Sequence, residues 1–214
     1  MKWLSVCLLC LLCVNAWADA ISSADNGPAD GKWRNASSAD DQKHLQSVAA
    51  QLANSLPVHG QMQQHKYMAI LNEPLVSSGT FDLKTNGDLT WSVQEPFAVL
   101  YRIVDGTIMR TLEGEQTEIT ARKEPSVYGF FQIVGKLFDL QLKGLESFFT
   151  VQLPHSELDA QWQLRLLPNN KRLASAIAAI VVTGEQGRLH SVTVQEPNAD
   201  YTRIQFQYAA QAEE

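Results

Sequence analysis

The stretch PLVSSGTFDLKTNGDLTWSVQEPFAVLYRIVDG, residues 74–106, predicts three short strands joined by tight turns. Asn86-Gly87 separates the first strand from the second, and Asp105-Gly106 closes the third. Such pairs between alternating runs indicate hairpins, because both central residues of the tight turn need a positive φ. Apolar and polar residues alternate, so one face of this antiparallel meander is apolar. That face carries Phe81, Leu83, Leu89, Trp91 and Val93.

Periodicity predicts strands over most of the remaining chain, interrupted by two helices. The first helix follows Ser38, whose side chain suits an N-cap, and ends before Pro57. The second begins near Pro125 and has a bulky apolar stripe at helical spacing: Val127, Phe130, Phe131, Val134, Leu137 and Phe138. Further strands are predicted at residues 58–71, 107–112, 116–120, 147–153, 161–167, 174–183, 188–195 and 201–208.

The expected fold class is α+β, with a single curved antiparallel sheet, a half-barrel, covered on its concave side by helices. A sheet of this size curls with its twist rather than staying flat. The chain is interpreted as a disordered leader at 19–37, one domain at 38–208 and a polar tail at 209–214. Whether the interior is filled or hollow is left open by periodicity.

The first 18 residues have the three parts of a secretory signal peptide. Lys2 supplies a positive start, residues 4–14 an apolar run, and Ala16-Trp17-Ala18 a small-x-small cleavage site. The apolar run is shorter than the roughly 20 residues that a membrane-spanning helix needs. All three cysteines lie inside this segment, so no disulfide or thiol chemistry is expected after cleavage. Export with cleavage of this segment is therefore predicted, and the resemblance described below implies the periplasm as the compartment; a lipid-modified cysteine is the competing interpretation.

Charge and missing motifs exclude several classes of function. The formal net charge of −6 argues against nucleic acid or an anionic membrane surface as the main partner. The sequence has no Gly-x-Ser-x-Gly elbow, no Gly-rich phosphate loop and no His-Glu-x-x-His motif. Its five histidines are scattered, so neither a metal site nor a cofactor is predicted. The protein is expected not to be an enzyme, although an unfamiliar lipid-modifying site remains an alternative.

Several short motifs occur along the chain in an order that matches a known family. They are Pro74-Leu75-Val76-Ser77-Ser78-Gly79, Leu89-Thr90-Trp91 followed by Glu95-Pro96, the Asp105-Gly106 turn, the strand from Trp162 to Pro168, and the closing strands at 184–194 and 200–206. With these motifs the chain resembles the periplasmic outer-membrane lipoprotein carriers of the LolA type, and more closely their LolA-like relatives. The resemblance covers nearly all of the chain after the leader.

The resemblance implies a concave, hydrophobic half-barrel with a helical lid that holds acyl chains of a lipoprotein or other lipid-linked product. Its partners would be those acyl chains and the transport machinery of the inner and outer membranes, and the carrier would be a monomer. The implied lining is Phe81, Leu83, Leu89, Trp91, Val93, Ile204 and Phe206 from the sheet, with Phe130, Phe131, Val134 and Phe138 from the lid. The alternative is an envelope scaffold or accessory protein in which these residues are ordinary core.

One feature departs from the family's pattern. In the carriers proper, an arginine near this part of the sheet bonds to the lid and helps to hold it shut. Here Thr90 precedes Trp91, and no arginine occurs between Pro74 and Tyr101. The resemblance therefore implies either that the lid is latched differently or that the ligand is not a lipoprotein.

Overall fold

The computed structural model describes residues 33–138, 142–155 and 161–209, and within them twelve strands form one antiparallel sheet. The strands are β1 (Trp33–Asn35), β2 (Val58–Tyr67), β3 (Leu75–Leu83), β4 (Leu89–Glu95), β5 (Val99–Val104), β6 (Thr107–Leu112), β7 (Glu115–Ile119), β8 (Phe149–Pro154), β9 (Gln161–Pro168), β10 (Ala179–Glu185), β11 (Arg188–Gln195) and β12 (Tyr201–Tyr208). The helices are α1 (Ala39–Asn54), α2 (Pro125–Phe138), α3 (Leu142–Glu146) and α4 (Lys171–Ala174).

The strand order is β1-β8-β9-β10-β11-β12-β2-β3-β4-β5-β6-β7, so β1 and β7 are the two edges and the sheet is not closed. The predicted α+β class, a curved half-barrel with a few helices, is confirmed. The order also joins the two halves of the chain through β12 and β2, where Phe206 pairs with Met62. The predicted meander of β3, β4 and β5 lies on the β7 side of this junction, with only β6 between it and the β7 edge.

Two glycines occupy positions where the strands bend. The register shifts between Ser78 and Gly79 in the β3–β4 pair, and between Thr183 and Gly184 in the β10–β11 pair. A Cβ atom on Gly79 would lie 1.9 Å from the carbonyl oxygen of Ser92, so only glycine fits this close approach. Bulges of this kind bend a strand and increase its twist, which favours the curved sheet.

Helix α1 covers part of the concave face, over β11. Its first turn has a capping box: the backbone N–H of Asp41 donates to Ser38 Oγ (3.1 Å), and the Asp41 carboxylate accepts from the Ser38 N–H (3.0 Å). Leu45, Val48 and Leu52 then follow at three- and four-residue steps and are buried in the main core. The predicted N-terminal helix is thus present, and its apolar stripe faces the sheet.

The segment containing α2 and α3 crosses from one end of the sheet to the other. The β3–β4 end is the end of the sheet that carries the connection at residues 84–88. The β2–β3 end is the opposite one, which carries the connection at residues 68–74. Strand β7 finishes at the β3–β4 end, where Ile119 pairs with Ile108, whereas β8 begins at the β2–β3 end, where Phe149 pairs with Pro168. The apolar stripe of α2 is therefore carried across the concave face.

The end of the predicted leader is ordered. Trp33–Asn35 form β1, antiparallel to β8, and Trp33 is only 7% exposed. The guanidinium of Arg165 lies 6.0 Å from the centre of the Trp33 ring. The prediction of disorder was wrong for residues 33–37, because an otherwise unpaired β8 edge supplies backbone partners that local composition does not reveal. The predicted signal peptide and the predicted leader up to residue 32 lie outside the described residues.

The start of β10 also differs from the prediction. The strand expected at 174–183 begins at Ala179, after the short helix α4. Asn170 caps that helix, since its side-chain oxygen accepts from the Leu173 N–H at 2.9 Å. Two other strands are shorter than predicted: β2 ends at Tyr67 rather than residue 71, and β5 begins at Val99 rather than Phe97. The remaining strands agree within a few residues.

Candidate functional site

Three predicted wall residues meet on the concave face of the sheet. Phe81 and Trp91 are opposite each other in the β3–β4 pair. The ring of Phe206 on β12 is centred 5.3 Å from that of Phe81 and 6.1 Å from that of Trp91, in both cases nearly perpendicular. All three side chains are buried. They form an aromatic surface that extends over β12, β3 and β4.

The phenylalanines of α2 lie directly against this surface. Trp91 is 5.7 Å from Phe130 and 6.1 Å from Phe131, measured between ring centres, and both pairs are edge to face. Phe131 also lies 4.8 Å from Tyr101 on β5. Edge-to-face pairs contribute about 0.5–1.5 kcal/mol each beyond the area that they bury. Helix α2 is therefore held against the sheet by aromatic side chains at the place where a lid was predicted.

The other predicted lining residues belong to the same core. Leu83, Leu89, Val134 and Ile204 are buried in it, and Val93 and Phe130 are half-buried and pack against it. The side chain of Phe138 lies outside the described residues. Residues that line a ligand groove and residues of an ordinary core would both belong to such a cluster. The lining role of these residues therefore stays a prediction.

Two tyrosines of this surface were absent from the predicted set. Tyr101 is opposite Trp91 in the β4–β5 pair, and the ring of Tyr208 is 5.5 Å from that of Phe81. The Tyr208 hydroxyl donates to the carbonyl of Leu189 (2.8 Å) and accepts from its N–H (2.9 Å), while burial raises the pKa of Tyr208 to about 12. Tyr208 is two residues beyond Phe206, so the period of two along β12 was the signal that could have found it.

An ion pair fixes the start of α2 to the sheet. Arg110 Nη1 on β6 donates to Glu124 Oε2 at 2.8 Å, and both side chains are mostly buried. The carbonyl of Glu124 also accepts from the Tyr128 N–H at 3.0 Å, which continues the first turn of the helix. Burial raises the pKa of the nearby Tyr101, and Arg110 acts against that rise. Arg110 thus joins the start of α2 to β6, in a chain whose residues 74–101 contain no arginine.

Several apolar side chains near the β2–β3 end of the sheet are only half-buried. Val93 and Val194 are half-buried there and pack against the core, as do Leu173 and Ile177 in the connection from β9 to β10. Lys66, on the same face of β2 as Met62, forms an ion pair with Glu196. This end of the concave face therefore combines half-buried apolar side chains with a charged pair.

The comparison that decides the family covers nearly the whole domain. Residues 35–213 match the family model described as "Outer membrane lipoprotein carrier protein LolA-like". The chain belongs to this LolA-like family. No curated protein matches the chain. The family resemblance expected from the ordered motifs is therefore confirmed, and the family is one of carriers by its description.

Several solved structures are similar to this LolA-like chain. A DUF1329 family protein from Desulfovibrio piger is 11% identical, covers 80% of this chain and 94% of its own, and has a TM-score of 0.46. A putative outer membrane lipoprotein-sorting protein domain from Vibrio parahaemolyticus is 12% identical over 80% and 93% of the two chains, with a TM-score of 0.45. A LolA superfamily protein from Nitrosomonas europaea is 8% identical over 76% and 91%, with a TM-score of 0.40. Likenesses this distant carry no information about a ligand.

Two further properties of the described residues bear on the site. No three or more His, Cys, Asp or Glu side chains among them come close enough together to hold a metal ion. None of the helices in the described part of the chain is long and apolar enough to cross a membrane. The candidate site of this LolA-like protein, the apolar surface between α2 and the sheet, rests on the ring contacts described above.

Proposed function

We propose that this LolA-like protein is a periplasmic carrier that shields the acyl chains of a lipoprotein or another lipid-linked product between the inner and outer membranes. The observation that supports this most is the contact of Phe130 and Phe131 with the aromatic wall around Trp91. Two apolar rings on one helix occupy space against the sheet that a hydrocarbon chain could take. In this proposal, α2 is the lid, and the residues predicted to line the cavity do so once the lid moves.

The energetics of a carrier require a large apolar surface. Each methylene exposed to water costs about 0.8 kcal/mol, so a chain of roughly 15 methylenes costs on the order of 12 kcal/mol in transit. The groove must offset most of that cost and still release the chain. Side-chain contacts between α2 and the sheet can be exchanged for contacts with the ligand, which makes loading reversible without unfolding the sheet.

The closed arrangement also protects the empty carrier. An open concave face carrying Phe81, Trp91 and Phe206 would expose a contiguous apolar patch, and patches of that kind promote aggregation. With α2 in place, all three side chains are buried. The Arg110–Glu124 pair supplies the polar contact that keeps the start of the lid in register. We therefore expect a monomer that opens only for cargo or for its membrane partners.

The carrier and the envelope scaffold differ in whether lipid enters the interior. We expect purified protein to bind palmitate, and hexanoate much more weakly, because affinity falls with each methylene removed. We also expect an organic-solvent extract of protein purified from its native envelope to contain lipid by mass spectrometry. Absence of both lipid in the extract and palmitate binding would favour the scaffold. Turnover of a labelled lipid by pure protein would instead favour the lipid-modifying enzyme.

A further inference from the structure

Exposed large apolar side chains are concentrated at the β2–β3 end of the sheet. Of the seven such side chains in the described residues, Val104 alone lies at the β3–β4 end. The others are Ile70, Leu71, Val76, Phe97, Leu112 and Phe148. A sheet of ordinary surface composition would not be expected to place nearly all of them at one end, so this asymmetry calls for a physical reason.

The strand register brings the loops that carry these side chains to one end. Ser78 pairs with Glu95, so the β4–β5 loop with Phe97 lies beside the start of β3 and the β2–β3 loop. Val99 pairs with Leu112, which places the end of β6 next to that loop. The β2–β3 loop, residues 68–74, contains Ile70 and Leu71. Ile70 is 84% exposed and Phe97 is 45% exposed.

The β2–β3 loop is held in place by a buried carboxylate. Asp200, one of two buried acidic residues in the described part of the chain, accepts a hydrogen bond from the Ala69 N–H at Oδ1 (2.8 Å). Its other oxygen accepts from the Asn198 side chain (2.9 Å), and the Leu71 N–H donates to the Met68 carbonyl (2.9 Å). The backbone on both sides of Ile70 is therefore bonded, and the exposed side chain is presented by an ordered turn.

The charges beside these apolar residues are mainly negative. Glu73 lies in the loop of Ile70, and Glu95 is two residues before Phe97; both are exposed. Lys171 and Arg172 of α4 are the exposed cations of the β9–β10 connection at this end. Local charge therefore does not favour an anionic surface, and binding would depend on apolar insertion.

We propose that the β2–β3 end docks on the surface of a lipid bilayer with an electrically neutral headgroup layer, inserting Ile70, Leu71 and Phe97. Ile70 and Leu71 project from one loop and Phe97 from the adjacent loop, each beside an exposed glutamate, and neighbouring strands are about 4.8 Å apart. A fluid interface accepts separate apolar points, whereas a protein partner needs a continuous complementary patch. Val93 and Val194, two half-buried side chains of the concave face, lie at this same end. If the proposed carrier function holds, an acyl chain could pass from bilayer to groove without crossing water.

Vesicle flotation tests the docking surface with a control variant from the same chain. The triple variant Ile70→Ser, Leu71→Ser, Phe97→Ser should lower partitioning onto phosphatidylcholine vesicles by at least about tenfold, because it removes the inserted apolar groups. The control Val104→Ser makes the same kind of change at the β3–β4 end, where the side chain is 48% exposed, and should partition like wild type. Replacing part of the lipid by phosphatidylglycerol should not strengthen binding.

Four results would overturn the docking proposal: no partitioning of wild type, equal partitioning of the triple variant, a comparable loss in Val104→Ser, or binding that needs phosphatidylglycerol. A triple variant that floats like wild type but sediments as a smaller species would identify the surface as a contact between copies. Palmitate binding without vesicles is measured on the same proteins. Retained palmitate binding with failed flotation overturns the docking alone, whereas flotation without palmitate binding overturns the carrier alone.

Discussion

Asp41 links the N-terminal strand to the first helix through one carboxylate. Arg34 Nη1 donates to Oδ1 at 2.7 Å, and the backbone N–H groups of Ser37 and Ser38 donate to Oδ2 at 3.1 and 3.0 Å. The Arg34 hydrogen bond, followed by those of Ser38, lowers the pKa of Asp41 from 3.8 to about 2. The ionised form is therefore the one that the fold stabilises.

This pKa shift predicts how stability changes in acid. Because the pKa of Asp41 is lower in the folded state, its contribution is present above pH 3.8 and is lost as the pH falls towards about 2. Asp41→Asn should lower the free energy of unfolding at neutral pH and should flatten its decline in that acidic window. Urea unfolding at several pH values measures both effects.

Asp40→Asn is the matched control for this prediction, since Asp40 is in the same helical turn but 92% exposed, with Lys43 at 3.5 Å as its partner. Exposed pairs of this kind contribute little to stability. The control should retain the acid dependence of wild type. An Asp41→Asn variant with the stability and acid profile of wild type would contradict the assigned role.

Residues on the concave face were predictable where one strand was read on its own. The period of two assigned Phe81, Leu83 and Trp91 correctly to one buried face. The burial of Trp33 was missed because it depends on β8, where its pairing partner is Pro154, far along the chain. Arg110 was likewise missed, because its partner Glu124 belongs to another element. Pair interactions between elements leave no periodic signal in the sequence.

At the scale of elements, α2 depends on the ion pair at its start and the rings along its stripe. Glu124→Gln keeps the shape of the side chain but removes its charge, which should cost about 1 kcal/mol, the difference between a charged and a neutral hydrogen bond. We expect faster hydrogen exchange of the amides at 125–138, because the first turn of α2 loses its strongest tie to β6. Mass spectrometry of peptides covering this segment provides the measurement.

The control for α2 is Glu118→Gln, which changes an exposed carboxylate on the neighbouring strand β7. It should leave exchange in α2 unchanged. Equal hydrogen-exchange protection of α2 in Glu124→Gln and in wild type would show that the ring contacts alone hold the helix. The stabilising role assigned to the Arg110–Glu124 ion pair would then be wrong.

Elements with a strong period of their own were the predictable ones. Helices α1 and α2 follow from three- and four-residue steps, and the hairpins follow from their Gly-containing turns. Helix α4 was missed because its four residues are too few to show helical periodicity. The feature of the sequence that could have indicated it is Asn170, which caps its first turn. The order of the strands in the sheet was not predicted, because pairing between strands that are distant in the chain leaves no local pattern.

At the scale of the molecule, the chain is one open curved sheet whose concave face is closed by side chains. The sequence predicted the apolar wall and the apolar helix, and the structure brings Phe130 and Phe131 against Trp91. Whether that contact opens for a ligand could not be predicted, because a lipid groove and a permanent core select the same apolar residues. A groove and a permanent core differ in the free energy needed to move α2 away from the sheet, and amino-acid composition does not determine that free energy.

Quenching of Trp91 fluorescence by a brominated acyl chain tests the central claim most directly. Bromine quenches tryptophan only at close range, so a chain that replaces Phe130 and Phe131 should quench Trp91 on binding. Trp91→Phe should lose the ligand-dependent quenching. Trp162→Phe should retain it, because Trp162 lies on β9, which five strands separate from β4 in the strand order. Quenching that persists in Trp91→Phe, or brominated palmitate that binds without quenching wild type, would contradict an acyl-chain site between α2 and the sheet.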